Sequence, residues 1–123
     1  LMANEHRGGR RGVGTLWEER AALWLTEKGF RILDRNYYTR RGEIDIVATE
    51  GRVLCFVEVK YRRSSGSGDP AEAVTLKKQR RILETAKIWM LVHGFPEETP
   101  LRFDVVAILG GNYRLIRDAF RAE

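Results

Sequence analysis

Two short runs, Glu43-Ile44-Asp45-Ile46 and Val57-Glu58-Val59-Lys60, set acids and a lysine among apolar residues of the kind that fill a core, and Glu18 adds an acid on a predicted helix. An unpartnered carboxylate in a core costs several kcal/mol or takes up a proton, so a buried acid implies a nearby positive charge. For Glu58 the candidates are Lys60, two residues along the same strand, and a bound cation. Strand alternation puts Phe56, Glu58 and Lys60 on one face and Cys55, Val57 and Val59 on the other. If Thr49 pairs with Arg52 across a two-residue turn, Asp45 falls opposite Phe56. It then shares a face with Glu58 and lies one diagonal step away, about 7–8 Å at Cα. An odd-length turn with no compensating bulge would send Asp45 to the other face. Two carboxylates and a backbone carbonyl, which Val59 is placed to supply, form a partial shell of hard oxygens suited to Mg²⁺ or Mn²⁺ with waters retained. Such an ion polarises a phosphodiester and acidifies a water. Lys60 either handles that water or neutralises the charge that builds on phosphorus, and the spacing does not separate these roles. The chemistry that fits is phosphodiester hydrolysis.

Each residue also has a purely structural explanation. Glu58-x-Lys60 at a strand end is as readily an exposed ion pair, worth under about 1 kcal/mol. Asp45 can cap a turn, Glu43 can open a strand, and Glu18 completes a capping box with Thr15. Gln79 lies among Lys77, Lys78, Arg80 and Arg81 near a helix start, where a solvated polar face accounts for it. His6 sits in a polar tail, and His93 at a helix end that favours its cationic form. Asp104, in Arg102-Phe103-Asp104-Val105, is expected to pair with a neighbouring arginine rather than bind metal.

The elements that must position these groups follow from periodicity and punctuation. Residues 1–14, with Arg7-Gly8-Gly9-Arg10-Arg11-Gly12, are too polar and glycine-rich to order themselves; a flexible basic tail is expected ahead of a single domain over 15–123. A helix is predicted from Thr15, with Trp17, Ala21, Trp24 and Leu25 as its apolar stripe and Gly29 as its stop. The period then changes to two. Phe30 to Tyr38, Glu43 to Thr49 and Arg52 to Lys60 read as an antiparallel meander, with Glu50-Gly51 as the second turn. Tyr61 to Gly68, basic and Ser/Gly-rich, reads as a surface loop and Asp69-Pro70-Ala71-Glu72 as a capped turn. A second helix is predicted from Thr75 to about His93, with Ile82, Ala86, Trp89, Met90 and Val92 inward and Gly94 as its stop. Arg102 to Leu109 and Tyr113 to Arg117 are strands joined by Gly110-Gly111-Asn112. A helix between the third and fourth strands implies that those two run parallel, so the expected fold is an α/β sandwich around one mixed sheet.

The 123 residues suffice for one core without disulfides or structural metal. Cys55 is the single cysteine, and with His6 and His93 alone there is no Cys/His zinc set. No stretch approaches the length of a membrane span and the Arg/Gly-rich start has no apolar signal segment, so a cytoplasmic protein without membrane contact is expected. The net charge of +5 comes from 22 basic against 17 acidic residues, with arginine far ahead of lysine. Arginine dominance favours bidentate contacts to phosphate.

Taken together, Gly14-x-x-x-Glu18-x-x-Ala21, Gly42-Glu43-Ile44-Asp45, Phe56-Val57-Glu58-Val59-Lys60, Ala71-Glu72-Ala73-Val74-Thr75 with Lys78-Gln79, and Arg102-Phe103-Asp104-Val105-Val106 resemble the bacterial YraN family, an endonuclease-like group within the PD-(D/E)xK nuclease superfamily and related to Holliday junction resolvases. The resemblance covers nearly everything after the tail. It implies a restriction-endonuclease-like αβββαβ core. It places Asp45, Glu58 and Lys60 in the superfamily's metal and catalytic positions, Glu18 as its helix-one acid and Gln79 as its second-helix polar residue. The proline usual before the first acid is replaced by Ile44. The leading reading is a Mg²⁺- or Mn²⁺-dependent deoxyribonuclease, held on DNA, branched DNA included, by Arg40, Arg41, Arg62, Arg63, Lys77 and Lys78. Such contacts grip the backbone and do not read bases. The rivals are a nucleic-acid-binding module that keeps the fold without turnover and an interaction protein that uses its tryptophan-bearing helices. Resolvase-like proteins commonly dimerise, which adds a homodimer to the expected partners.

Overall fold

The structure, a computed structural model, describes residues 13–64, 66, 68–70 and 74–121, with the first helix's side chains from Leu16 onward. The basic run Arg7 to Gly12 and the Ala71-Glu72-Ala73 segment lie outside the described residues. The chain runs α1 (Val13–Glu27), β1 (Arg31–Thr39), β2 (Gly42–Glu50), β3 (Val53–Arg62), α2 (Leu76–Val92), β4 (Leu101–Leu109) and β5 (Asn112–Phe120). The five strands form one sheet in the order β1-β2-β3-β4-β5. All neighbours are antiparallel except β3 and β4, which α2 joins as a parallel pair. This is an α/β fold with an αβββαβ core and a mixed sheet between helices, closed by one further strand. Among the described residues no helix is long and apolar enough to cross a membrane.

Alternation along the strands divides the core in two. Leu54, Phe56, Phe103 and Val105 pack with Ile82, Ala86, Trp89 and Met90 of α2. Ile46, Ala48, Cys55, Val57, Val106 and Ile108 pack with Ala21, Ala22 and Leu25 of α1. α1 begins at Val13, so Thr15 lies inside the helix, two residues past its first, and not at the expected N-cap position. Beyond Glu27 the chain is turned back by Phe30, whose N–H reaches the Leu25 carbonyl at 3.0 Å. α2 starts on the Thr75 cap, as expected, with Oγ1 accepting the Lys78 N–H at 3.2 Å. Val92, expected inward, is 67% exposed. The buried stripe is Ile82, Thr85, Ala86, Trp89 and Met90, and Val92, three residues past Trp89, falls beside it, while the exposed C-cap His93 stacks its ring on Trp89 at 4.1 Å. The Trp89 indole N–H donates to Asp34 Oδ2 at 2.9 Å and ties α2 to a bulge in β1.

Two turns fix the registers that matter. The second tight turn is Gly51-Arg52, with Glu50 opposite Val53, one step later than the expected Glu50-Gly51. Gly51 has φ +61° in the first central position, where a II′ hairpin needs glycine. The change slides the pairing by two residues, an even number, so no side chain changes face. At the other hairpin, Gly42 lies against α2: a Cβ there would stand 3.2 Å from Arg81 Cβ and 3.3 Å from Thr85 Oγ1.

At the end of the sheet near this second turn, Asp104 is fully buried and pairs with an arginine as expected. Arg102 donates to it through Nε (2.9 Å to Oδ1) and Nη2 (2.9 Å to Oδ2) and to Glu50 Oε1 at 2.6 Å. Arg117 closes on Glu50 as well, at 2.9 and 2.6 Å. The Asp118 N–H donates to Asp104 Oδ1 at 2.9 Å across a bulge in β5 where Asp118 has φ +57°. This bulge carries β5 on to Phe120, which stacks on Phe103 at 5.2 Å, three residues past the expected end at Arg117.

Asp104→Ala should destabilise the fold by about 3–5 kcal/mol in urea titration, because it leaves Arg102 buried without its main partner. The Arg117 hydrogen bond first, then that of Arg102, draws the Glu50 carboxyl down to about 2. A lowered folded-state value means that this stabilisation is complete above the ordinary 4.5 and is lost as pH falls from there towards about 2. Glu50→Gln should flatten the acid limb of a stability–pH curve over that window.

Candidate active site

The β2–β3 pairing runs from Glu50↔Val53 to Ile46↔Val57 and stops there. The next pair would be Asp45 with Glu58, directly opposite rather than diagonal as the expected register had it. Past that point β3 stays paired with β4 as far as Arg62, while β2 stays with β1. Where the strands part, Asp45 Oδ2 accepts the Val59 N–H at 2.8 Å. The carboxylate therefore reaches over β3 between Glu58 and Lys60. Both acids are buried, Asp45 5% and Glu58 4% exposed. Val59, expected to face the site through its carbonyl, meets Asp45 through its amide.

The two acids are treated differently. Glu58 Oε2 is held by Lys78 Nζ at 2.9 Å and by Lys60 Nζ at 3.4 Å. Burial pushes the Asp45 carboxyl well above its ordinary value, with Glu58, Glu18 and Glu43 adding to the rise and only the Val59 N–H opposing it. Burial also lowers Lys60, helped by the ammonium of Lys78, against the pull of Glu58. Lys78 moves the other way: burial works against its charge, but Glu58 outweighs it and raises the value.

Glu18 reaches this region from α1. Its Oε1 accepts the side-chain N–H of Asn36 on β1. Asn36 has φ +54°, in the left-handed region that asparagine tolerates better than most residues. It lies between the pairs Arg35↔Ile46 and Tyr37↔Ile44, hence opposite Asp45. Sequence reasoning missed Asn36; an asparagine within a strand, where it is depleted, was the available signal. α1 is seated here by Trp17, which stacks on Tyr61 at 4.3 Å, one residue past Lys60.

Gln79 stands in the first turn of α2, where its Nε2 donates to the Val74 carbonyl at 3.1 Å. Among the described residues no group of three or more His, Cys, Asp or Glu is arranged to hold a metal ion. Of the predicted basic contacts, Arg40 and Arg41 lie in the β1–β2 turn and, with Tyr38, Lys78 and Arg81, line a polar cleft of about 400 Å³ against α2. Arg41 also meets Glu84 at 3.4 Å. Lys77 is exposed beside Lys78, and Arg63 is exposed after β3. Arg62 folds back on the Tyr61 carbonyl at 2.9 Å. Lys78 was expected to be a free surface contact; it is instead shared between this cleft and Glu58.

The fold and these positions define the chain as a small α/β protein whose mixed sheet opens between its second and third strands over a pair of buried acids. Residues 17–108 match the family model described as "Uncharacterised protein family UPF0102". A UPF0102 protein of Lachnoclostridium phytofermentans is 55% identical over 109 residues, covering 89% of this chain and 92% of the relative. One from Anaeromyxobacter dehalogenans is 51% identical, covering 85% and 77%. UPF0102 protein YraN of Escherichia coli is 45% identical, covering 88% and 83%. The chain belongs to the UPF0102 family, which the resemblance to YraN proteins anticipates.

The raised Asp45 carboxyl has a measurable consequence. A folded-state value above the ordinary 3.8 means that the folded state binds the proton more tightly, so stability is lost as pH rises through and above 3.8. Asp45→Asn removes the charge but keeps an oxygen for the Val59 N–H. It should raise the urea midpoint at pH 7 relative to wild type, and the advantage should shrink as pH falls towards 3.8 and be gone below it. A variant less stable than wild type at pH 7 would show Asp45 to be a structural acid.

Proposed function

We propose that this protein is a divalent-metal-dependent nuclease that hydrolyses phosphodiester bonds in DNA, with Asp45 and Glu58 as metal ligands and Lys60 as the catalytic amine. The observation that carries the reading is the buried Asp45 carboxylate, held beside Glu58 and, among the described residues, hydrogen-bonded by a backbone N–H, in an arrangement that disfavours its charge. A fold keeps such a group against its own stability when a site needs it. The donors fit Mg²⁺ or Mn²⁺: they are hard carboxylate oxygens, and a position against Glu58 already holds a positive charge, the Lys78 ammonium. Two carboxylates suffice for an ion that takes its remaining ligands from water and substrate phosphate, so the lack of a third acid in the set is compatible with Mg²⁺.

When bound, the ion supplies polarisation of the scissile phosphate and acidification of a water. The chain's own groups do the rest. Lys60, lowered by burial and by Lys78, is poised to take or orient a proton of the attacking water. Glu18, through Asn36, fixes the β1 backbone opposite Asp45. Arg40, Arg41 and Arg81 line the adjoining cleft, with Arg63 and Lys77 exposed nearby in sequence, and these cations suit a sugar–phosphate backbone read by shape, as in branched DNA.

A second reading, a DNA-binding module without turnover, draws on the two lysines that already occupy Glu58. Incubating linear, flap and four-way DNA with EDTA, Mg²⁺ or Mn²⁺ separates the two. Metal-dependent cutting that falls by at least about a hundredfold in Glu58→Ala and Lys60→Ala supports the nuclease. Cutting that survives Glu58→Ala defeats it, and salt-sensitive binding with no cutting in any metal favours the module.

A further inference from the structure

Lys78 belongs to two sites at once. Its ammonium is 2.9 Å from Glu58 Oε2, closer than that of Lys60 at 3.4 Å, and its side chain is 35% exposed where that of Glu58 is 4%. Its other surroundings are the polar cleft of Tyr38, Arg40, Arg41 and Arg81, which one acid, Glu43, also lines, so that the arginines outnumber it three to one. The two lysines differ in how they reach the acid. Lys60 is on the same strand as Glu58 and stays beside it. Lys78 arrives from α2, the third residue of the helix, with its backbone N–H fixed by Thr75 Oγ1 at 3.2 Å. Only its long flexible side chain is free to choose between the acid and the cleft. The cleft itself is rigidly joined to α2, because Gly42 packs the β1–β2 turn directly on Arg81 and Thr85.

We infer that Lys78 gates the site: in the free protein it holds Glu58 in place of a divalent cation, and a backbone phosphate entering the cleft draws it away. The inference rests on the metal-dependent reading above and deepens it. Lys78 is the closer of the two ammonium groups on Glu58 Oε2, and a divalent cation added beside both meets stronger repulsion than one added beside Lys60 alone. A phosphate beside Arg40 and Arg81 offers Lys78 an alternative partner of like charge to the carboxylate it leaves. Glu58 is not stranded in the exchange, since Lys60 remains on the same oxygen. Cation and nucleic acid therefore favour each other's binding, by the same factor in both directions. The arrangement keeps a nuclease poorly charged with metal until its substrate arrives.

The test uses the full chain and needs no turnover. Mn²⁺ affinity is measured by electron paramagnetic resonance of the free ion for wild type, Lys78→Met and, as a control for net charge, Lys87→Met, an exposed lysine further along α2. Lys78→Met should bind Mn²⁺ at least about tenfold more tightly than wild type, an effect of the usual size for coupled sites, while Lys87→Met stays at the wild-type value. In EDTA, Lys78→Met should bind a labelled four-way DNA more weakly, with the slope of log affinity against log salt reduced by about one. Unchanged Mn²⁺ affinity, or unchanged DNA affinity and slope, overturns the gate while leaving the metal reading intact. If wild type and Lys78→Met alike bind no Mn²⁺, the metal reading falls and the gate falls with it.

Discussion

The parting of β2 from β3 after Ile46↔Val57 is the constraint from which the rest of the site follows. A backbone N–H left inside a protein must find an acceptor, and at Val59 the ladder to β2 no longer supplies one. Asp45 takes that place with its side chain. A neutral acceptor would satisfy the amide at lower electrostatic cost, so the use of a carboxylate, buried and beside Glu58, is the feature that requires explanation. The same parting frees Glu58 from a cross-strand neighbour on its α2 face and leaves it open to cations from Lys60 and Lys78.

The sheet contains its own control. Asp104 and Asp45 lie on neighbouring parts of one sheet and both are buried, yet their surroundings are opposite. Asp104 receives a two-pronged guanidinium and a backbone N–H, and the arginine that serves it is shared with Glu50, which Arg117 also holds. Every charge there has a counter-charge, and the result is a strut that pins β5 and the second hairpin to β4. Asp45 receives one N–H, the fields of three other acids and the more distant charge of Lys78, and burial with those acids prevails over the rest. Burial is therefore not what distinguishes the two acids; compensation is. The compensated acid serves the architecture, and the uncompensated one lies where β2 and β3 open and where the basic cleft of the β1–β2 turn adjoins.

Much of this was legible beforehand, for identifiable reasons. The parallel β3–β4 pair followed from the helix between them, the pairing of Asp104 from the arginine two residues away, and the common face of Glu58 and Lys60 from alternation. The register was off by two because Glu50-Gly51 and Gly51-Arg52 are both acceptable turns until the II′ preference for glycine in the first position is applied; an even shift leaves the faces of the paired residues from Ile46 to Glu50 unchanged. Val92 was misplaced because a helical stripe drifts, and the sheet beneath α2 selects Trp89 and Met90 as its last buried positions. The bond between Asn36 and Glu18 and the double engagement of Lys78 were not legible at all. Both depend on contacts between elements distant in sequence, Glu18 with Asn36 and Lys78 with Glu58, and no local pattern encodes those.

That long-range character also explains how α2 couples core packing to the site. Its buried stripe, Ile82 to Trp89, is fixed against Phe56 and Phe103 of β3 and β4, and the Trp89 indole is anchored to Asp34 at the far side of the sheet. A helix pinned along one face has no freedom to rotate, so the direction in which its first turn projects is set by hydrophobic packing several turns away. The Trp89 bond to Asp34 is one of the contacts that fix the helix from which Lys78 reaches Glu58. The acids of the sheet and the cation of the helix are thus held in register by the core that lies between them, and the Lys78 ammonium is carried on a flexible stem.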